Sequence, residues 1–207
     1  MPRPPHPITI ASHIIWTNYG TWLPNGPRGS TSTRVRNHQL LELGELHFGR
    51  KKKQPRPDQV RAFYDDAKTR LKFPILHFGA EQILSIGLEI QTVIKDHGYT
   101  CYACAVMPDH VHVLIRKHRD DAWDMLECLQ EATRKIILKF DPNIDCEHPI
   151  WTNGGYVNFV STPEIVQRVI RYIENNPAKI NLSTQLWPFV TPYDNWPYHK
   201  LKKWKFP

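Results

Sequence analysis

The sequence predicts an α+β domain. We expect a ferredoxin-like split β-α-β sandwich, an antiparallel sheet with helices on one face, with a long insertion after the first strand. Two observations predict this class. Short runs rich in β-branched and aromatic residues alternate with longer runs whose apolar residues recur at helical spacing. Their order is β, insertion, α, β, β, α, β, α, and no internal repeat is visible.

Composition indicates a folded, basic protein. The chain has 207 residues, 41% hydrophobic and 11% aromatic, which is enough for one domain with a full core. Its 27 Lys and Arg residues exceed its 20 Asp and Glu residues, and the formal charge of +7 suits a polyanion such as nucleic acid. Four cysteines are too few for a disulfide-stapled secreted domain, the start lacks a signal-peptide pattern, and no run approaches the ~20 apolar residues of a membrane span. We therefore expect a cytosolic protein with no membrane partner.

We interpret residues 1–207 as a single domain with two additions. Residues 25–79 show poor apolar periodicity and contain two basic stretches, so we treat them as an insertion. This insertion is either a solvated surface excursion or an arm that contacts nucleic acid. Residues 183–207 are aromatic and basic and contain four prolines, which predicts an extended tail.

The first half of the chain predicts one strand and two helices. Residues 8–24 are rich in Ile, Thr, Trp and Tyr, which is typical of a strand, and end in a cluster of turn residues. Residues 58–71 predict a helix with Asp58 at its N-cap. Residues 80–98 predict a longer helix that ends at Gly98. Its apolar stripe consists of Ile83, Ile86, Ile90, Val93 and Ile94.

A strand pair and a third helix follow. Residues 99–107 and 110–117 predict two strands joined at Pro108 and Asp109, as in a β-hairpin. Residues 120–140 predict a helix, with acidic residues in its first turn and basic residues in its last. Its predicted buried face consists of Leu126, Leu129, Ile136 and Phe140.

The last two elements are a strand and a helix. Residues 149–160 predict a strand with a Gly-Gly bend. Residues 162–179 predict a helix capped by Thr162, with Pro163 in its first position and Pro177 near its end.

Two histidines at strand spacing predict a metal site. Residues at i and i+2 of a strand point to the same face, so in MPDHVHVLI we expect His110 and His112 to project together while Val111, Val113 and Ile115 enter the core. Neutral imidazole is a common ligand of divalent metals, and two ligands on one strand leave coordination positions open for a substrate phosphate. The alternative is that the pair simply faces solvent.

The stretch RYIENNP, residues 171–177, is a second candidate element. In a helix, Tyr172 and Asn176 are four positions apart and share a face. The tyrosine is either a half-buried side chain whose hydroxyl finds a hydrogen-bond partner, or a nucleophile beside a carboxamide that completes a metal shell.

Together these motifs resemble a known family. The succession MPDHVHVLI, helix, IWTNGGYV and YIENNP is similar to the single-tyrosine HUH transposases, which include the REP-associated tyrosine transposases and the insertion-sequence-200-like family. The resemblance covers roughly residues 80–182 and the strand near 8–24. It implies a DNA transposase that binds Mg²⁺ or Mn²⁺ and cleaves single-stranded DNA at hairpin-marked sites, leaving a 5′-phosphotyrosine and a free 3′-OH. It also implies a bacterial cytosolic, nucleoid-associated protein and a possible homodimer.

The resemblance assigns roles to four residues. His110 and His112 correspond to the metal ligands, and Tyr172 corresponds to the nucleophile. Asn176 stands where some members have a glutamine as third ligand, and it keeps the amide oxygen with a shorter reach. The insertion and the tail depart from the compact members, so DNA specificity does not carry over.

Basic and aromatic side chains are candidates for DNA contacts, because lysine and arginine neutralise phosphates and aromatic rings stack on unpaired bases. The basic candidates are Arg28, Arg34, Arg36, Lys51, Lys52 and Lys53. The aromatic candidates are Trp16 and Tyr19, with Trp22, Trp151 and Tyr156 as further rings. For each ring the alternative is burial in the core.

Several alternatives stay open. Cys101 and Cys104 form a C-x-x-C before the histidines and could bind zinc, although residues at i and i+3 of a strand face opposite sides. Asp109 is either a partner of a histidine or a turn residue. A non-catalytic module that binds hairpin DNA or RNA could share the fold. A rolling-circle initiator or relaxase would share the chemistry, although the order of motifs and the length disfavour it.

Overall fold

The fold is a four-stranded antiparallel sheet with helices on both faces. The computed structural model describes residues 8–30, 35 and 38–198. The strands are β1 (Ala11–Thr17), β2 (Cys101–Val106), β3 (His110–Arg116) and β4 (Tyr156–Val160). Their order in the sheet is β2-β3-β1-β4, with every neighbouring pair antiparallel, as in a split β-α-β sandwich. The predicted fold class is confirmed.

Five α-helices lie in the described residues. They are α1 (His38–Leu41), α2 (Pro57–Arg70), α3 (Ala80–His97), α4 (Ala122–Phe140) and α5 (Pro163–Glu174). In the described part of the chain, none of these helices has the length and apolarity needed to cross a bilayer.

Helices α3 and α4 cover one face of the sheet, as predicted. Because side chains alternate along a strand, Val111, Val113 and Ile115 of β3 all point to this face. They are fully buried against Ile90 of α3 and Leu129 of α4. This is the larger of the two cores that enclose the sheet.

Helix α5 covers part of the opposite face, where the sequence had predicted no helix. Its buried residues Val166 and Ile173 pack with Tyr102 of β2 and Leu114 of β3. Only two residues separate β4 from α5, so the chain folds directly back over this face. The strong separation of apolar and polar residues in α5 then buries one stripe and leaves the other in solvent.

Several element boundaries differ from the prediction. Strand β1 ends at Thr17, because the chain leaves the sheet at Asn18, which forms an isolated bridge with Trp151. The N-cap of α2 is Arg56 rather than Asp58, and its backbone N–H donates to Oε1 of Gln59 at 3.0 Å. Strand β4 begins only at Tyr156, after the Gly-Gly bend.

The C-terminal end of α5 matters for the site. The helix ends at Glu174 instead of continuing to residue 179, and a 3-10 helix, Pro177–Ile180, follows. Proline has no N–H to donate, which stops the α-helical ladder at this point. Asn176 therefore lies in the turn between the two helices.

The insertion has a small core of its own, and the tail runs along the sheet. The segment between β1 and α3 has a small core of Leu23, Leu40 and Ala67. The described part of the tail, 183–198, runs beside the edge strand β2. There Gln185 Nε2 donates to the carbonyl oxygen of Val106 at 2.7 Å and its Oε1 accepts from the Val106 N–H at 2.8 Å, which occupies backbone groups of an otherwise open edge.

Candidate active site

The predicted histidine pair and the predicted tyrosine lie together on the α5 face of the sheet. His110 and His112 project from β3 to this face, since their neighbours Val111 and Val113 point to the other. Tyr172 extends from α5, and its ring centre lies 5.6 Å from that of His112, with the rings edge to face. The tyrosine side chain is 47% exposed. One chain thus brings the three residues into one site, with the phenol open to solvent.

His110 is oriented by the residue before it. Its Nδ1 lies 2.6 Å from Oδ1 of Asp109, and this hydrogen bond is the main cause that lowers the pKa of the Asp109 carboxyl. An ionised carboxylate can only accept, so Nδ1 of His110 donates. In the neutral ring this hydrogen bond leaves the lone pair on Nε2, and Asp109 is the histidine partner that the sequence offered as one alternative.

His112 is oriented by a third histidine, His13 of β1. Nδ1 of His112 lies 3.0 Å from Nε2 of His13, and both side chains are buried. Burial is the main cause that lowers the pKa of His112 to about 3 and that of His13 to about 4, so both rings are neutral near pH 7. A metal can bind Nε2 of His112 only when Nδ1 carries the proton. In that tautomer, Nε2 of His13 accepts the hydrogen bond.

The spacing of the histidine pair is compatible with two ligands of one divalent ion. The ring centres of His110 and His112 are 4.8 Å apart and the rings are nearly perpendicular, at 88°. With metal–nitrogen bonds of about 2.1 Å and a nitrogen–metal–nitrogen angle of about 90°, two imidazoles on one ion would have centres about 4.6 Å apart, whatever the angle between their planes. No group of three or more His, Cys, Asp or Glu among the described residues is arranged to hold a metal. An ion here would take its other ligands from an amide, water or substrate.

Asn176 and Lys179 complete this cluster. Oδ1 of Asn176 accepts from Nζ of Lys179 at 2.9 Å, while its buried Nδ2 has no hydrogen-bond partner among the described residues. The same ammonium lies 4.0 Å from the ring centre of Tyr172. Its charge also contributes to the lowered pKa of His112. Asn176 is thus part of the site, and the ammonium of Lys179 would compete with a metal for its carbonyl oxygen.

Sequence reasoning missed His13 and Lys179. His13 lies in a strand that pairs with β3, and its place near His112 follows only once Ile15 is known to pair with His112. His13 is two positions before Ile15 in β1, so both side chains point to the same face. Lys179 is seven positions after Tyr172, so two helical turns would place both residues on the same side. Pro177 predicted a helix end before Lys179, and the 3-10 helix that follows was not expected.

The aromatic DNA-binding candidates have different positions. Trp16 is fully buried against Trp151, with ring centres 6.0 Å apart, so no base can stack on it and this prediction is wrong. Trp151 is also buried. Tyr19 is half-buried and packs edge to face on Phe73 and His148. Trp22 is half-buried and Tyr156 is 51% exposed, and these two remain candidates.

The basic candidates lie in the insertion. Arg28, Lys52 and Lys53 are exposed and Lys51 is half-buried, so all four can reach a phosphate. Arg34 and Arg36 lie outside the described residues.

The zinc alternative does not fit the structure. A β-bulge between Cys101 and Ala103 turns Cys101 and Cys104 into the same core, contrary to the expected opposite orientation. Burial raises the pKa of Cys101 to about 12 and that of Cys104 well above its ordinary value, so both thiols stay protonated. They also lie on the face of the sheet opposite to His112.

Comparisons with known proteins relate residues 79–176 to a known family. Residues 79–176 match the family model described as "Transposase IS200 like". Among solved structures, the chain is similar to a REP-associated tyrosine transposase bound to a REP hairpin, at 15% identity over 100% of this chain and 88% of that chain, with a TM-score of 0.46. It is also similar to a predicted transposase from Deinococcus radiodurans R1, at 17% identity over 84% of this chain and 96% of that chain, with a TM-score of 0.38. A search of curated proteins found no match. The matched residues 79–176 include both histidines of β3 and Tyr172, so this part of the chain is similar to the IS200-like transposases.

Proposed function

We propose that this chain is a metal-dependent transposase and single-strand endonuclease that cleaves and rejoins DNA at hairpin-marked sites through a 5′-phosphotyrosine on Tyr172. The observation that carries the proposal is the 5.6 Å separation of the Tyr172 and His112 ring centres within one chain, with the phenol open to solvent. The similarity to the IS200-like transposases and the formal charge of +7 support a DNA substrate.

The histidine pair would hold Mg²⁺ or Mn²⁺. Asp109 and His13 occupy the Nδ1 atoms, which leaves Nε2 of His110 and of His112 for the ion. Oδ1 of Asn176 would be a third ligand when Lys179 releases it. When bound, the ion supplies Lewis-acid polarisation of the scissile phosphate.

Tyr172 would perform the covalent step. Its Oη attacks phosphorus in line, so the Oη–P bond forms while the bond between phosphorus and the 3′ oxygen breaks. The 3′ oxygen leaves and takes up a proton, and the phenol proton passes to the water that surrounds the exposed side chain. The ammonium of Lys179, 4.0 Å from the ring centre, supplies positive charge beside the new phosphodiester. Rejoining is the reverse attack by a DNA 3′-OH and consumes no nucleotide triphosphate.

A covalent trapping experiment tests the proposal. Hairpin oligonucleotides from the DNA that flanks the gene, labelled at the 3′ end and carrying single-stranded flanks, are incubated with the full chain and Mn²⁺. We expect a labelled protein band on a denaturing gel that disappears in Tyr172→Phe and persists in the matched control Tyr198→Phe, which changes another exposed tyrosine. Absence of the band with every hairpin, or its persistence in Tyr172→Phe, would contradict the proposal.

One observation favours a second candidate, a non-catalytic hairpin DNA or RNA binder. The carbonyl oxygen of Asn176 is bonded to Lys179, so the third ligand is already engaged. Such a binder would hold its hairpin equally well with a chelator and would break no strand. A homodimer and a location in the bacterial cytosol stay predictions, and light scattering on the purified chain tests the first.

A further inference from the structure

A groove of about 830 Å³ opens beside the candidate active site. One side is formed by the insertion, at residues 28–30 and 50–55, and the other by the turn at 152–156. Its volume lies within the range of about 300–1,000 Å³ typical of ligand sites in proteins. Nothing in the fold or in the proposed chemistry of Tyr172 requires this groove.

The register of the sheet places one part of the groove near the histidine pair. His112 pairs with Ile15, and Ile15 pairs with Tyr156, so the three side chains form one row on one face. Ile15 and Tyr156 both line the groove. Neighbouring strands are about 4.8 Å apart, so Ile15 lies one strand and Tyr156 two strands from His112. Helix α5 packs mainly on β2 and β3, which leaves this part of the face uncovered.

The walls combine exposed aromatic rings with positive charge. Tyr156 is 51% exposed and Trp123, from the first turn of α4, is 47% exposed. Arg28 and Arg50 line the insertion side, and no acidic residue among the described residues lines the groove. Aromatic faces beside guanidinium groups, without carboxylates, suit the bases and phosphates of a single strand.

Backbone contacts hold both walls in place. The N–H of Lys51 donates to the carbonyl oxygen of Arg28 at 3.0 Å, which ties the two basic segments together. Gly29 has φ +83°, and a Cβ there would collide with the carbonyl oxygen of Gly49. On the other side, Nε2 of Gln130 donates to the carbonyl oxygens of Thr152 at 3.2 Å and Gly154 at 2.9 Å. The groove is therefore a built feature of the fold.

We propose that this groove binds the unpaired nucleotides next to the scissile phosphate, with bases stacked on Trp123 and Tyr156 and phosphates beside Arg28 and Arg50. The inference rests on the proposed function, because the strand must pass Tyr172. The insertion thereby acts as the nucleic-acid-contacting arm. A second cavity shares Gln54 and Pro55 with the groove and is lined by Lys51, Lys53 and Arg56, which extends the positive charge along the same path.

Binding measurements test the inference without cleavage. Fluorescence anisotropy is recorded in the Tyr172→Phe background with a hairpin that has a single-stranded flank on the 5′ side, on the 3′ side, or on neither. We expect Trp123→Ala and Tyr156→Ala each to weaken binding of one flanked hairpin about 5- to 150-fold, the range for loss of one base stack, and to leave the flankless hairpin unchanged. Arg28→Ala/Arg50→Ala should lower the salt dependence, by about 0.7 in logarithmic slope for each phosphate that an arginine no longer neutralises.

The control is Arg61→Ala/Arg119→Ala, which removes two exposed arginines outside the groove. Unchanged affinity of the groove variants for flanked hairpins, or an equal loss with the flankless hairpin, would overturn the inference. Free mononucleotide that competes as well as the flanked strand would also overturn it, since the site would then serve a small molecule. Because no adduct is needed here, failure of the covalent trapping experiment and failure of this one are separate results.

Discussion

The orientation of His112 by His13 leads to a quantitative expectation for metal binding. Nε2 of His13 lies 3.0 Å from Nδ1 of His112 and both rings are buried. In His13→Ala the Nδ1–H would lose its acceptor, which costs about 1–3 kcal/mol for a buried group. His112 would then favour the tautomer that protonates Nε2 and cannot bind a metal. Loss of such a partner typically weakens metal binding about 10- to 100-fold, or about 1.4–2.7 kcal/mol, in agreement with the hydrogen-bond cost.

Titration of the full chain with Mn²⁺, followed by the paramagnetic resonance signal of the free ion, measures this effect. His13→Gln offers a carboxamide oxygen as acceptor and should recover part of the affinity, whereas His47→Ala, at an exposed histidine outside the site, should have no effect. Thermal unfolding establishes that each variant is folded. If folded His13→Ala binds Mn²⁺ as well as the original chain does, His13 does not position the ligand.

Three further expectations concern the same structure. Lys179→Met should tighten Mn²⁺ binding in the same titration, because it frees Oδ1 of Asn176 and removes a positive charge beside the ion. Weaker binding would show that Lys179 does not compete with the metal. The Tyr99 hydroxyl donates to Asp120 at 3.0 Å and is the main cause that lowers the pKa of that carboxyl below its ordinary 3.8. The resulting stability is present above pH 3.8 and is lost as the pH falls through the folded-state pKa of Asp120. The unfolding temperature of Tyr99→Phe should therefore fall less steeply with acid than that of the original chain. Equal slopes of unfolding temperature against pH in the two proteins would refute the link between Tyr99 and Asp120. Gly29→Ala should reduce binding of the flanked hairpin as the double arginine variant does, because the φ of +83° and the carbonyl oxygen of Gly49 leave no room for a side chain. Unchanged binding would show that the backbone at Gly29 does not hold the wall of the groove in place.

The parts of the fold that the sequence predicted depend on local rules. The period of two in MPDHVHVLI was sufficient to place His110 and His112 on one face and the valines on the other, as the structure has them. The helical spacing of α3 and α4 and the cap at Thr162 are local too. The fold class followed from the succession of elements, because few topologies satisfy it.

The parts that the sequence did not predict depend on contacts between distant residues. His13 is 99 positions from His112, and only the β1–β3 register reveals that they touch. Trp16 has an aromatic ring that could stack on a base, but its side chain points to the α4 side of β1 and is buried. The side of the sheet that α5 chooses depends on a short connection after β4. The groove brings residues 28–30 of the insertion next to the turn at 152–156, more than a hundred residues later, so no local motif predicts it.

Identification of the modified peptide tests the central claim most directly. After reaction with a hairpin oligonucleotide and Mn²⁺, the protein is digested with nuclease and then with trypsin, which cuts after Arg171 and Lys179 and releases YIENNPAK, whose single tyrosine is Tyr172. We predict that mass spectrometry finds this peptide joined to a nucleotide through its 5′ phosphate. A nucleotide on any other peptide, or strand cleavage with YIENNPAK unmodified throughout, would show that Tyr172 is not the nucleophile.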